Sequence, residues 1–227
     1  MATPAEIVAI ARSKGWLSRL PPDRQSALLD VAHVVHLDAG EVLFNVGDPA
    51  GRMYGLISGC VAAEAAQSDR EPQMAMLLHA VTWFGYALLA GRTSRLVGIR
   101  ATRPSTLLAI EPEAFRRIAE RDPEIWRDIC ALSDGHLGNV IGLAEELMLR
   151  GSRDRLAAIL VRLAGLRNDD PPDPPVIDAT QAEIAAIANL SRSVVSDLLP
   201  KMEREGLVSL GRASVKILDA DRLLGAR

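Results

Sequence analysis

Residues 180–208 read TQAEIAAIANLSRSVVSDLLPKMEREGLV, two short helices joined by a tight turn with a strand directly after. Thr180 and Glu183 form a T-x-x-E capping box, in which a hydroxyl and a carboxylate satisfy backbone donors left unpaired at a helix start. The first helix is therefore expected from about Gln181. Ile184 and Ile187 share one of its faces, Ala185 is small enough to admit a second helix, and Asn189 tolerates the left-handed turn conformation. Ser191 caps the next helix. There Val195, Leu198, Leu199 and Met202 follow the i, i+3, i+4, i+7 spacing of a buried stripe, which turns Arg192, Ser193, Ser196 and Asp197 outward.

That outward set suits a DNA groove. A recognition helix reads base edges near its N-terminus, and Arg192 fits a bidentate contact with guanine. Ser193 and Ser196 suit bases or phosphates. A carboxylate at Asp197 is repelled by phosphates unless it accepts from a cytosine amino group or orients Arg192, and the orienting role is expected. Leu207–Leu210, a Gly211-Arg212 turn and Ser214–Leu218 make a hairpin after the helix, as a wing requires, with Arg212 at its tip for a phosphate. Pro200 removes the bond to the Ser196 carbonyl, at a typical cost of about 3 kcal/mol inside a helix, and predicts a kink on the solvent side.

The 227 residues suffice for two domains, and the 48% apolar content includes no run long enough to cross a bilayer. The N-terminus lacks the basic and apolar segments of an export signal, so the expected location is the cytoplasm. The net charge is -3. Residues 150–227 carry 12 Lys+Arg against 11 Asp+Glu, a net of +1, which leaves 14 against 18, a net of -4, for the remainder. Phosphate contact must then come from a few placed arginines and depend on salt.

Upstream, residues 5–33 look helical, with Pro21-Pro22 opening a segment that aligns Ala27, Leu28 and Val31. From His36 to Ile110 short runs alternate with Gly, Asp and Pro turns: Val42–Asn45, Met53–Ser58, Val61–Ala66, Met74–His79, Leu96–Thr102 and Thr106–Ile110. This pattern predicts an all-β sandwich or barrel. Glu111-Pro112-Glu113 starts a helix, and a longer one from about Pro123 to Leu149 carries Ile125, Ile129, Leu132, Leu137, Val140, Ile141, Ala144 and Leu147. Its apolar side exceeds what one domain needs, so it is expected to pair with a second copy, Gly135, Gly138 and Gly142 letting two backbones approach. The alternative is a break near Gly135. Ser152–Leu166 forms another amphipathic helix, and DDPPDPP at Asp169–Pro175 a stiff exposed loop.

The whole chain resembles the CRP/FNR family of transcription regulators over about residues 15–222. The resemblance rests on Gly40-Glu41-Val42-Leu43-Phe44 with Gly47-Asp48, on Tyr54-Gly55-Leu56-Ile57-Ser58-Gly59 with Val61, on Phe84-Gly85 ahead of Arg95, and on Thr180–Val208. It implies an α+β chain of two domains: a cyclic-nucleotide-binding-like β-roll with flanking helices at residues 1–120, a long dimer helix at 121–150 and a winged helix-turn-helix at 151–227. It further implies a homodimer on pseudo-palindromic double-stranded DNA, RNA polymerase as a partner, and an effector in the β-roll that shifts a two-state population. On the DNA side it draws in Thr180, Gln181 and Ser191 beside Arg192, Ser193, Ser196, Asp197 and Arg212.

The chain departs from the family in the effector pocket. In nucleotide-binding members a glycine, a ribose-binding glutamate, and a phosphate-binding arginine followed by a small or hydroxylated residue stand where this chain has Gly85, Tyr86, Arg95 and Leu96. The hydroxyl-bearing pair of the dimer helix falls at Val140-Ile141, counting back from Arg155. These changes disfavour cyclic AMP or GMP and leave another small effector, a partner protein or no effector. Arg95 is then an anion ligand or one half of an ion pair, and Arg92-Thr93-Ser94 is a slipped alternative to Arg95-Leu96. Where many relatives read DNA with Arg, Glu and a second Arg, this chain has Arg192, Ser193 and Asp197.

No metal set is expected: His33 and His36 have no Glu or Cys to complete one, and the distant Cys60 and Cys130 argue against a disulfide framework. Cys60 reads as a small core residue, whereas Cys130 could meet its symmetry mate. His79 and His136 are the histidines that could serve as haem ligands. No nucleophile–base pair or phosphate loop suggests catalysis, so an enzyme is not expected. A sensor or adaptor whose winged helix binds protein is the alternative to a DNA-binding regulator.

Overall fold

The computed structural model describes residues 3–65, 72–86, 89 and 91–225. Three short helices open the chain: α1 (Pro4–Ser13), α2 (Gly15–Ser18) and α3 (Pro22–Asp30). Thr3 and Glu6 build a capping box for α1 like that expected at Thr180. Eight strands follow among the described residues: β1 (His33–Leu37), β2 (Val42–Phe44), β3 (Met53–Ser58), β4 (Cys60–Ala65), β5 (Gln73–His79), β6 (Trp83–Phe84), β7 (Gly98–Ala101) and β8 (Ser105–Ile110). They make two four-stranded sheets, in the orders β1-β8-β3-β6 and β2-β7-β4-β5. Sequence periodicity recovers six of the strands; β1 and the two-residue β6 are additions, and Ala66, the expected end of β4, lies outside the described residues.

Then come α4 (Pro112–Arg121), α5 (Ile125–Leu147), α6 (Ser152–Leu163), β9 (Val176–Ile177), α7 (Gln181–Ile187), α8 (Arg192–Arg204), the hairpin β10 (Val208–Gly211) and β11 (Ser214–Ile217), and α9 (Ala220–Leu223). α5 is continuous past Gly135, so the expected alternative of a break there is not realised. α8 likewise runs unbroken through Pro200. The last three strands form a sheet in the order β10-β11-β9.

The chain divides into two compact units, residues 1–61 with 78–136, and residues 62–77 with 137–227. In the first, Leu17, Leu28, Met53, Trp83, Phe115 and Ile125 are among the buried core, and Trp16 meets the edge of Trp83 at 5.5 Å between centroids. Arg24 fastens α3 to the start of α5, donating to Asp122 Oδ2 at 2.7 Å and to Asp128 Oδ2 at 2.5 Å. In the second unit, Leu156, Ile159 and Leu160 of α6 are buried together with Ile184, Val195, Leu199 and Met202.

The hydrogen bond from Arg24 holds the Asp122 carboxyl below its ordinary pKa. A depressed carboxylate pKa stabilises the fold above the unfolded value, and this contribution is lost as pH falls through the folded value. Arg24→Ala is expected to lower the thermal midpoint by about 2–4 °C at neutral pH. The gap from wild type should shrink below the ordinary carboxylate range, which thermal melts between neutral and acid pH will check.

Candidate nucleic-acid interface and effector pocket

The second unit builds the helix-turn-helix as its sequence dictates. Thr180 Oγ1 accepts from Glu183 N at 3.2 Å while Glu183 Oε2 accepts from Thr180 N at 2.8 Å, closing the capping box. The chain turns at Asn189 with φ 50° and re-enters a helix at Ser191, whose hydroxyl accepts from Val194 N at 3.3 Å. Val195, Leu199 and Met202 are buried, Leu198 is partly so, and Arg192, Ser193, Ser196 and Asp197 are exposed. Arg155 of α6 supports the turn from beneath, Nη1 lying 3.5 Å from the Asn189 carbonyl.

The wing is a two-residue hairpin in which Gly211 pairs with Ser214. Its turn is Arg212-Ala213, one residue later than the Gly211-Arg212 expected, because Gly211 stays in the ladder and Ala213 takes the left-handed step at φ 55°. Glu203 at the end of α8 accepts from Leu210 N at 2.7 Å and holds the hairpin against the helix. Between the start of α7 and the hairpin opens a cleft of ≈ 390 Å³, lined by Thr180, Gln181, Arg192, Gly211 and Ser214 among others. Thr180, Gln181 and Arg192 are thus brought to one cleft beside the wing, with Arg212 exposed at its tip. Among the described residues no ion pair joins Asp197 to Arg192, so the orienting contact expected of Asp197 is not formed in the free protein.

The first unit holds an open pocket of ≈ 380 Å³, lined by Phe44, Asp48, Arg52, Tyr54, Arg95 and Glu111 among others. Arg95 is 8% exposed. Its guanidinium lies 4.0 Å from the Phe44 ring centroid, and Nη2 donates to the Arg52 carbonyl at 3.1 Å. The neighbouring carboxylates are engaged otherwise: Glu111 pairs with Arg52, and Asp48 accepts from Asn45 N at 2.7 Å. Burial lowers the Arg95 pKa, and its Nε is buried without a partner. Arg95 is therefore a desolvated cation held by an aromatic face, with no carboxylate ion pair among the described residues, and the alternative of a structural ion pair falls away.

Gly85 belongs to the same corner, since with φ 85° a Cβ there would stand 2.8 Å from the Arg52 carbonyl and 3.1 Å from Arg95 Nη1. Tyr86 and Leu96 do not line the pocket. Tyr86 turns to α5, its hydroxyl 2.8 Å from His136 Nδ1, and Leu96 is 61% exposed. Val140 and Ile141, on the part of α5 that belongs to the second unit, are 53% and 51% exposed. Arg92, Thr93 and Ser94 are exposed, so the slipped register is not the one adopted. Sequence reasoning missed Phe44, Arg52, Tyr54 and Glu111 as pocket lining, although Phe44 and Tyr54 stand in the quoted motifs. Cys60 is buried and its thiol is pushed up by desolvation, as a core residue's should be. His79 lies beside Cys60, Nδ1 4.0 Å from Sγ, and no group of three or more metal-ligating side chains occurs among the described residues.

Residues 34–122 match the family model of the cyclic nucleotide-binding domain, and residues 154–225 match that of the Crp-like helix-turn-helix domain. The chain belongs to the CRP/FNR family. It is a DNA-binding transcription regulator. It is similar to the cAMP-activated global transcriptional regulator CRP of Pasteurella multocida, at 26% identity over 80% of this chain and 88% of that protein. The CRP-like cAMP-activated global transcriptional regulator of Mycobacterium tuberculosis is 27% identical over 96% of this chain and 97% of its own. The solved structure of FixK2 from Bradyrhizobium japonicum shares the fold at a TM-score of 0.71, with 18% identity over 86% of this chain and 97% of that one.

A buried cation kept without a carboxylate partner costs stability. Arg95→Met, which keeps length and contact with Phe44, is expected to leave the ligand-free protein as stable as wild type or more so by about 1 kcal/mol, read from denaturant midpoints. A clear loss of stability would show that Arg95 serves the fold.

Proposed function

We propose that this regulator acts as a homodimer, paired through α5, that presents two copies of α8 to successive major grooves of one pseudo-palindromic duplex. The observation that carries it is the stripe Leu137, Val140, Ile141, Ala144 and Met148 on α5, spaced by threes and fours and exposed throughout. Leu137 is 56% and Met148 80% exposed. Burying such side chains against a second copy is worth about 1.5–3 kcal/mol each. Two-fold pairing places the recognition helices about 34–36 Å apart.

In this reading residues 1–120 receive the effector, 121–150 pair the chains and 151–227 bind DNA. Arg192 contacts guanine, Ser191, Ser193 and Ser196 border the groove, and Thr180, Gln181 and Arg212 meet phosphates. RNA polymerase at the regulated promoter is the further partner, and the cytoplasm is the setting. The family mechanism adds an effector that shifts a two-state equilibrium.

The β-roll pocket fits half of a cyclic nucleotide. Arg95 and Gly85 suit an anionic group, but Tyr86 offers no carboxylate to a ribose and its hydroxyl already meets His136. Val140 and Ile141 carry no hydroxyl. The pocket is assigned to a small anion other than a cyclic nucleotide.

Two substitutions test the assembly. Ile141→Glu is expected to weaken the dimer by at least about tenfold in sedimentation and to take DNA affinity with it, since a charge on the seam loses more than about 1.4 kcal/mol. Arg192→Ala should keep the dimer and lose sequence preference at fixed salt; unchanged preference would remove α8 from the groove and favour a protein-binding winged helix. For the effector, phosphate and small carboxylates should raise the thermal midpoint of wild type but not of Arg95→Met, whereas cyclic AMP and GMP should leave both unmoved.

A further inference from the structure

Of the four exposed polar side chains in the first two turns of α8, two are already engaged within the protein. Ser193 Oγ lies 2.9 Å from Ser191 Oγ, the hydroxyl that caps the helix. Ser196 Oγ donates to the Ser193 carbonyl at 2.9 Å, which leaves it only acceptor capacity. Arg192 and Asp197 remain. Among the described residues Asp197 is paired neither with Arg192 nor with Lys201 one turn on, and all three are exposed.

We infer, on the reading of α8 as the DNA-facing helix, that Arg192 and Asp197 form a donor–acceptor reading pair in which Asp197 accepts from the 4-amino group of a cytosine. Five residues at 1.5 Å each separate them by about 7.5 Å along the axis, near two base-pair steps of about 3.4 Å. They therefore meet different base pairs, Arg192 suiting the two acceptors of guanine.

The carboxylate works largely by exclusion. Facing guanine or thymine it would meet only acceptors on the base edge, O6 and N7 or O4. Adenine presents an amino group with the N7 acceptor beside it, so one carboxylate oxygen gains a partner and the other is repelled. Cytosine presents its amino donor alone. With the C-terminal segment near neutral overall, a misplaced sequence has little bulk attraction to offset that repulsion.

The test is selection from a random duplex pool by the full-length chain and by Asp197→Asn and Asp197→Ala at one salt concentration. Wild type should select guanine and cytosine at two positions of each half-site. Asp197→Asn should change the cytosine position alone to adenine, whose N6 and N7 match an amide, and Asp197→Ala should relax that position alone. In competition the wild-type site should lose at least about tenfold preference with either variant. Unchanged preferences would overturn the pairing, and so would uniform tightening on every sequence with a steeper salt dependence, which would mark Asp197 as a repeller of phosphate only. A wild type that selects a sequence sensitive to Arg192→Ala but indifferent to both Asp197 variants overturns the pairing and spares the DNA-binding role; a wild type that selects no sequence overturns both.

Discussion

A single arginine fixes the part of the molecule on which DNA binding depends. Arg162 of α6 crosses to α5, donating from Nε to Glu146 at 2.6 Å, from Nη2 to Glu146 at 3.0 Å and from Nη1 to the Asn139 carbonyl at 3.0 Å. The Arg162 and Glu146 side chains are only 10% and 9% exposed, so Arg162 would be strongly destabilising without Glu146, which also meets Arg167 Nε at 3.5 Å. The guanidinium passes over Gly142, where a Cβ would clash with Nη2. One face of the long helix is thus locked to the helix that supports the DNA-binding module, and the face carrying Leu137, Val140, Ile141, Ala144 and Met148 is left exposed.

The DNA face and the effector pocket handle polar groups in opposite ways. On α8 the polar groups are exposed, and hydroxyl bonds among Ser191, Ser193 and Ser196 narrow which of them meet a base with their donors free. In the β-roll Arg95 is withdrawn from water, stacked on Phe44, and denied a carboxylate while Glu111 and Asp48 are turned to other partners. The second arrangement forgoes local stability that an ordinary core would keep, because a buried charge without a carboxylate is costly. Tyr86 takes a third course: burial raises its phenol pKa and lowers that of His136, so two neutral groups meet at a bond that needs no charge.

Legibility in the sequence follows the range of the interaction. The caps at Thr180 and Ser191, the left-handed Asn189 and the stripe on α8 are settled within a few residues, and all stand where their pattern puts them. The wing turn slipped by one residue because ladder pairing, not the glycine, chose its position. The strands β1 and β6 carry too little periodicity to announce themselves; β6 is two residues held by β3. At Gly142 a close approach is made by Arg162 of the same chain, which spacing alone does not announce, because a helix glycine admits any neighbour.

The sequence by itself determined the order of the longer elements, the two-domain α+β plan and the polar face of α8, since caps, turns and apolar periods act between residues that are close along the chain. Only the tertiary structure decided that Arg95 lacks a carboxylate, that Tyr86 belongs to His136, and that Asp197 is not paired with Arg192. Each of those outcomes is a choice among several partners within reach. Partner choice turns on ångström-scale distances and on which groups burial has already removed from water, and neither quantity is written in spacing along a chain.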